Sequence, residues 1–200
     1  MVRSYPAHFD AIRPERYDRA QVFLRIAVVI LLAVLRVPLG TLLGVLCLGL
    51  PVLAAVLIAQ GNGATYLEQR TARMIRGLRA VIAFLAWLTF LTDRFPSAGD
   101  TPGVRFDVEP HGSPTVASAL LRLITSIPAA IVAIALWFVA GLVGFTTSIM
   151  VLAGSQVPAG LYDVQRGTVR WIARLAAYHA SLVDQGPPFA FDTESEAVMV

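Results

Sequence analysis

Four aspartates, Asp10, Asp93, Asp107 and Asp184, and a surplus of arginine are the residues of this 200-residue chain best suited to chemistry. Carboxylates brought together at a membrane surface could act as acid and base. A plainer role is open to each of them: capping a turn or helix start, or pairing with a nearby arginine. That plainer role is the reading the sequence favours. His8, His111 and His179 lack metal-ligand spacing, so no metal site is expected. The single cysteine, Cys47, lies in an apolar run and has no partner for an intrachain disulfide. The chain carries no GxSxG, P-loop, CxxC or HExxH motif. No catalytic residue and no cofactor are therefore expected.

The elements that must position these residues are apolar. From Leu123 to Tyr162 no residue is charged, and from Ile26 to Tyr66 the only charge is Arg36. About 20 such residues let an α-helix cross a bilayer, and about 40 are present in each stretch. Backbone in lipid must satisfy its own hydrogen bonds, so both stretches should be helical. A mean hydropathy of +0.69 agrees with an integral membrane protein. The net charge of +3 rests on 16 arginines with no lysine, and these flank apolar segments. That placement suits anionic lipid head groups rather than nucleic acid. The polar stretch Met1 to Arg19 has no signal-peptide pattern.

The chain reads as two tandem copies of one unit. His8-Phe9-Asp10-Ala11 recurs as Arg105-Phe106-Asp107-Val108, about 97 positions on. Arg25 then falls on Arg122, Gly44 on Gly141, and, one position closer, Gln60 on Gln156 and Tyr66 on Tyr162. Thr92-Asp93-Arg94-Phe95-Pro96 falls on Val183-Asp184-Gln185-Gly186-Pro187 after a contraction of about five residues. The divisions are a first membrane repeat over 1–96, a linker over 97–103, a second repeat over 104–192 and a flexible tail over 193–200.

Each unit is expected to open with a short extended Phe-Asp segment at the cytoplasmic surface. A transmembrane helical hairpin and an interfacial amphipathic helix should follow. Turn candidates are Pro38 to Gly44 and Ala140 to Gly144, with Pro51 and Pro128 as competing breakers. Hairpins place Arg3, Arg13, Arg16, Arg19, Arg70, Arg73, Arg76, Arg79, Arg105, Arg166, Arg170 and Arg174 on one side, as the positive-inside rule requires. The segments around Phe9 and Phe106 are too short to stand alone. They are expected to pair with each other or with the stretch Phe189 to Asp192, each Phe packed on helices and each Asp facing water or an arginine.

Arg166, Arg170 and Arg174 share one helix face, and Arg70, Arg73 and Arg76 form the matching stripe. Both stripes are read as lipid-head-group contacts, with simple topology signals as the alternative. Trp171 and Tyr178 are read as interfacial anchors. Arg25 and Arg122 lie near the block starts and are expected to snorkel, since neither block holds an acidic partner. Gly40 with Gly44, and Ala140 with Gly144, are spaced for close helix packing.

These residues resemble a bacterial membrane family known as domain of unknown function number four-three-eight-nine. The second unit carries the likeness in Phe106-Asp107-Val108-Glu109-Pro110, Arg122 before Ile127-Pro128, Gly160-Leu161-Tyr162-Asp163, Gly167, Arg170-Trp171, Asp184 and Pro187-Pro188-Phe189. The first unit keeps Tyr5-Pro6, Phe9-Asp10, Pro14-Glu15-Arg16 and Thr92 to Pro96, but departs at Tyr66-Leu67-Glu68 and lacks the Ile-Pro and Arg-Trp pairs. The resemblance implies a membrane location and no activity. The functional expectation is a non-catalytic accessory or scaffold subunit of a membrane complex, multi-pass in the bacterial inner membrane with both termini cytoplasmic. Its expected partners are anionic lipids and other membrane subunits or further copies of itself. A small transporter or channel between the repeats, and a lipid-modifying enzyme at the cytoplasmic interface, are the alternatives.

Overall fold

The computed structural model describes residues 5–36, 39–97, 103–154 and 156–188. Arg3, most of the linker, the stretch Phe189 to Asp192 and the tail lie outside the described residues. The chain is mostly helical, with one two-stranded antiparallel sheet, β1 (Ala7–Ala11) and β2 (Val104–Val108). The register places Phe9 opposite Phe106. Backbone bonds from Ile12 to Gly103 and from Glu109 to Pro6 fix the alternation of the ladder. Phe9 and Phe106 are thereby a non-hydrogen-bonded pair, whose side chains approach most closely and whose carbonyls point to the outer edges. Both rings are buried, at 1% exposure. The expected pairing of the two Phe-Asp segments is therefore what the fold contains.

Helix α1 (Arg19–Val34) starts at Asp18, whose carboxylate accepts from the Ala20 amide. Beyond it, α2 (Leu39–Gly44), a π-helical turn (Val45–Gly49) and α3 (Leu50–Ala59) follow without a gap. The expected turn at Pro38 to Gly44 is thus helical from Leu39 onward. Asn62 caps α4 (Gly63–Thr65), and a second π-helical turn (Tyr66–Arg70) leads into α5 (Thr71–Leu88). The chain bends by 117° between Val45–Ala59 and Gly63–Leu88, and this lays α5 against β2.

In the second half, Thr115 and Ser118 form a reciprocal capping box at the start of α6 (Val116–Thr125). Ser126 then separates it from α7 (Ile127–Leu152). The expected turn at Ala140 to Gly144 does not form, because α7 runs through it unbroken. Pro128 sets the break instead: it has no amide proton for the Ile124 carbonyl, and its ring is compatible only with a helix start. Helix α7 is long and apolar enough to cross a membrane, and only 11% of its most apolar window is buried.

Helix α8 (Ala159–His179) is the hub. It packs on β1, α5, α7 and α3, so both of its sides are covered. It is a middle layer between the sheet and the apolar helices rather than a helix with one face free. Gln165 of α8 reaches the Ala140 carbonyl of α7 at 2.9 Å. The small residues Ala140 and Gly144 give α8 that access, with Gly144 lying close to the same amide. The outer faces of α1, α3, α6 and α7 are bare hydrocarbon, including Phe23, Ile30, Leu53, Leu121, Phe138 and Phe145.

Candidate functional site

The four recurring aspartates do not converge; each meets its own arginine. Arg25 in α1 is 3% exposed. Its Nε donates to the Trp87 carbonyl at 2.8 Å, and its Nη2 donates to the Thr92 carbonyl at 2.8 Å and to Asp93 Oδ1 at 3.3 Å. The guanidinium also sits 4.0 Å from the centre of the Phe90 ring. Arg122 in α6 is 5% exposed. It donates to the carbonyls of Tyr178 and Val183 and to Asp184 Oδ1, the last at 3.1 Å, with the Tyr178 ring 4.4 Å away. Each arginine therefore closes the C-terminal end of a helix, α5 or α8, where the last carbonyls lack intrahelical donors. The chain leaves both helices in the same way. Phe90 (φ 64°) and Ser181 (φ 55°) are left-handed, and the next amide turns back, Leu91 to Ala86 and Leu182 to Ala177. The helix-end counterparts, from Ala86 and Ala177 to Asp93 and Asp184, stand at one constant separation, shorter than that of Arg25 and Arg122.

Snorkelling of Arg25 and Arg122 is corrected by this geometry. Their partners come from outside the apolar blocks, from the turns after α5 and α8. The sequence held the signal, since Arg25 recurs with Asp93 as Arg122 does with Asp184. Burial holds the Asp93 carboxyl above the usual carboxylate range, against the opposing pull of the Asp18 amide and Arg25.

The sheet edges are closed by a second matched pair. Arg170 of α8 donates through Nε to the Phe9 carbonyl at 3.2 Å and lies 4.0 Å from Asp10. Arg79 of α5 donates through Nη2 to the Phe106 carbonyl at 3.0 Å and to Asp107 at 2.8 Å. Each strand thus rests on the helix of the other half. Arg166 lies 3.2 Å from Asp163 and 3.9 Å from Asp10, and Arg174 lies under the Tyr5 ring.

The stripe Arg166, Arg170, Arg174, expected to meet lipid head groups, faces β1. Arg170 and Arg174 are 2% and 3% exposed, because the strand edge needs buried donors. Trp171 is also buried and donates its indole N–H to the Pro188 carbonyl, whereas Tyr178 is half-buried beside Arg122. Arg73 and Arg76 are exposed and Arg70 is half-buried, which keeps that stripe open to a head group.

One basic pocket lies elsewhere. Arg13, Arg16 and Arg19 line a cavity of about 650 Å³ with Glu15, Tyr17 and Val157. Arg13 donates to the Val157 carbonyl, and the Tyr17 hydroxyl donates to the Phe90 carbonyl at 3.0 Å. Burial pushes the Tyr17 phenol up to about 12, so it remains a donor. Gly154 (φ 77°) ends α7 in a left-handed turn, and a Cβ there would come within 2.9 Å of Arg19 Nη2. Arg19 therefore covers the carbonyl end of α7, where a cation is favoured. A separate groove of about 330 Å³ runs between α1 and α7, walled by Ile26, Val29, Ile30, Trp137, Gly141 and Phe145.

Fold and site together define a mostly helical protein with a buried arginine framework, an apolar exterior and a basic pocket. Residues 117–190 match a family described as Domain of unknown function (DUF4389). The matched stretch holds α6, α7, α8 and the Asp184 turn, and so the Arg122–Asp184 clasp. No curated protein and no solved structure matches the chain.

Proposed function

We propose that this is a multi-pass integral membrane protein of two tandem units that serves as a non-catalytic accessory or scaffold subunit. The observation that carries the reading is the apolar exterior. Of the exposed large hydrophobic residues, all but Ile12, Leu35 and Phe95 lie on α1, α3, α6, α7 and the π-helical turn before α3. An exterior of that extent calls for lipid or for another protein. The two units, 1–96 and 104–192, are related by a local two-fold axis between Phe9 and Phe106. In support, Arg25 with Asp93 repeats as Arg122 with Asp184, and each strand is held by the other unit's arginine. Such an axis along the membrane normal gives both units one orientation, as parallel repeats have. The arginine distribution then puts the sheet and both termini on the cytoplasmic side of a bacterial inner membrane.

The recurring carboxylates are committed to arginines and helix ends, which favours structure over acid–base chemistry. Gln60 is exposed and Arg25 is spent on carbonyls, so a polar path between the units finds no support in them. The partners are anionic lipids and other membrane subunits or further copies of the chain. Purification from native membranes should bring down a stoichiometric membrane partner. Recovery of the chain alone, as a monomer, would refute the accessory role.

A further inference from the structure

The geometry points to a binding site for one anionic glycerophospholipid along the seam between α1 and α7, head group in the pocket of Arg13, Arg16 and Arg19 and acyl chain in the groove below. The inference rests on the membrane reading above. Both cavities touch α1 and α7; loop residues before α1 and after α7 complete the pocket, and Leu88, Thr89 and Phe90 at the end of α5 complete the groove. Arg19 and Val151 line the pocket, while Ile26 to Ile30 and Ser148 to Trp137 line the groove. The helices thus run antiparallel, and the groove begins about 9 Å along α1 from Arg19. A buried apolar cluster, Val22, Phe90 and Val151, closes the interior between the two cavities, so the glycerol and ester groups would cross its outer side.

Charge and polarity change along the seam in the order of a phospholipid's own parts. Three arginines against one carboxylate, Glu15, face the pocket. Arg13 is fixed by the Val157 carbonyl and Arg19 is set over the end of α7, while Arg16 is exposed and makes no hydrogen bond or ion pair among the described residues. Arginine presents paired donors that match a phosphate. The groove walls are aliphatic and aromatic, and its one guanidinium, Arg25, is turned onto its own carbonyls. Gly141 contributes no side chain, and a Cβ there would meet nothing within 4 Å, so it leaves room for a chain to lie against α7. The pocket sits at the end of α7, which is where head groups lie if α7 spans the bilayer.

The test uses the full chain in nanodiscs of equal phosphatidylglycerol and phosphatidylcholine, ejected into native mass spectrometry. The parent should retain one phosphatidylglycerol in preference to phosphatidylcholine. Arg16→Gln with Arg19→Gln should lower that preference about tenfold, as surface cations near lipid phosphates do. Gly141→Leu should lower retention of both lipids, with a melting curve matching the parent's. Equal retention of the two lipids by the parent, or unchanged retention in both variants, would overturn the site. So would a lipid-free dimer closed over the seam. Extraction of the parent by alkaline carbonate would instead overturn the membrane reading itself, so the two failures are distinguishable.

Discussion

Replacing Arg25 by methionine should destabilise the protein by about 4 kcal/mol, as expected when one member of a buried ion pair is removed. The structure supplies the parts of that figure. Methionine keeps most of the side-chain volume, so little cavity opens. What is lost is the donor set for two buried carbonyls, Trp87 and Thr92, and the counter-charge of Asp93, which is only 14% exposed. The Trp87 carbonyl keeps the Phe90 amide at 3.2 Å, so the lost charge-assisted bonds and the uncompensated Asp93 carry most of the figure. Arg122→Met removes the same set at the end of α8, but Asp184 is 49% exposed and can turn to water. Its cost should be slightly smaller, about 3 kcal/mol. In a chain of this size each kcal/mol moves the melting temperature by about 2–4 °C. Losses of about 12 °C for Arg25→Met and about 9 °C for Arg122→Met follow. Cys47 is buried, so a thiol-reactive dye reports unfolding in detergent without an added label. A drop of under about 2 °C in either variant would refute the view that the clasps hold the ends of α5 and α8.

Phe106→Ala should cost about 3 kcal/mol, because the ring is fully buried against its counterpart, whereas Asp107→Asn should cost under about 1 kcal/mol at an exposed ion pair. The same thermal assay separates the two, and equal effects would contradict the burial of the sheet's inner face. Burial lowers the His179 imidazole to about 4, against the opposing hydrogen bond of Nδ1 to the Leu46 carbonyl at 3.0 Å, and Arg122 adds a further downward push. The folded value lies below the unfolded one, so the neutral ring's contribution is complete above pH 6.5 and is lost as the pH falls from there towards 4. The loss totals about 3 kcal/mol. Melts at pH 7.5 and pH 5 should differ by about 2 kcal/mol, and His179→Gln should remove that part of the difference.

Much of the fold was legible because the sequence holds matched residues to compare. The recurrence of Phe9-Asp10 at Phe106-Asp107 announced the strands, and their length forced them to pair. The apolar stretches fixed which helices carry the hydrocarbon exterior. What escaped was the inward use of arginine. A stripe at Arg166, Arg170 and Arg174 has the same spacing whether it faces phosphate or the edge of a strand. Only the docking of α8 under β1 decides between them. The break in the second block was misplaced for a related reason. Ala140 and Gly144 are as common in close helix packing as in turns, whereas the missing amide of Pro128 acts locally and decides the matter. The basic pocket could not be read at all, because Arg13, Arg16 and Arg19 reach the end of α7 only through the tertiary fold.

The central claim, a membrane-embedded protein with its sheet on the cytoplasmic face, is tested most directly by thiol accessibility. In a Cys47→Ala background, single cysteines at Ile12 and Arg105 lie beside β1 and on the exposed face of β2. In intact cells both should be shielded from an impermeant maleimide, both should react after permeabilisation, and the protein should stay in the pellet after alkaline carbonate. Labelling of either position from outside, or release of the protein by carbonate, would contradict the account.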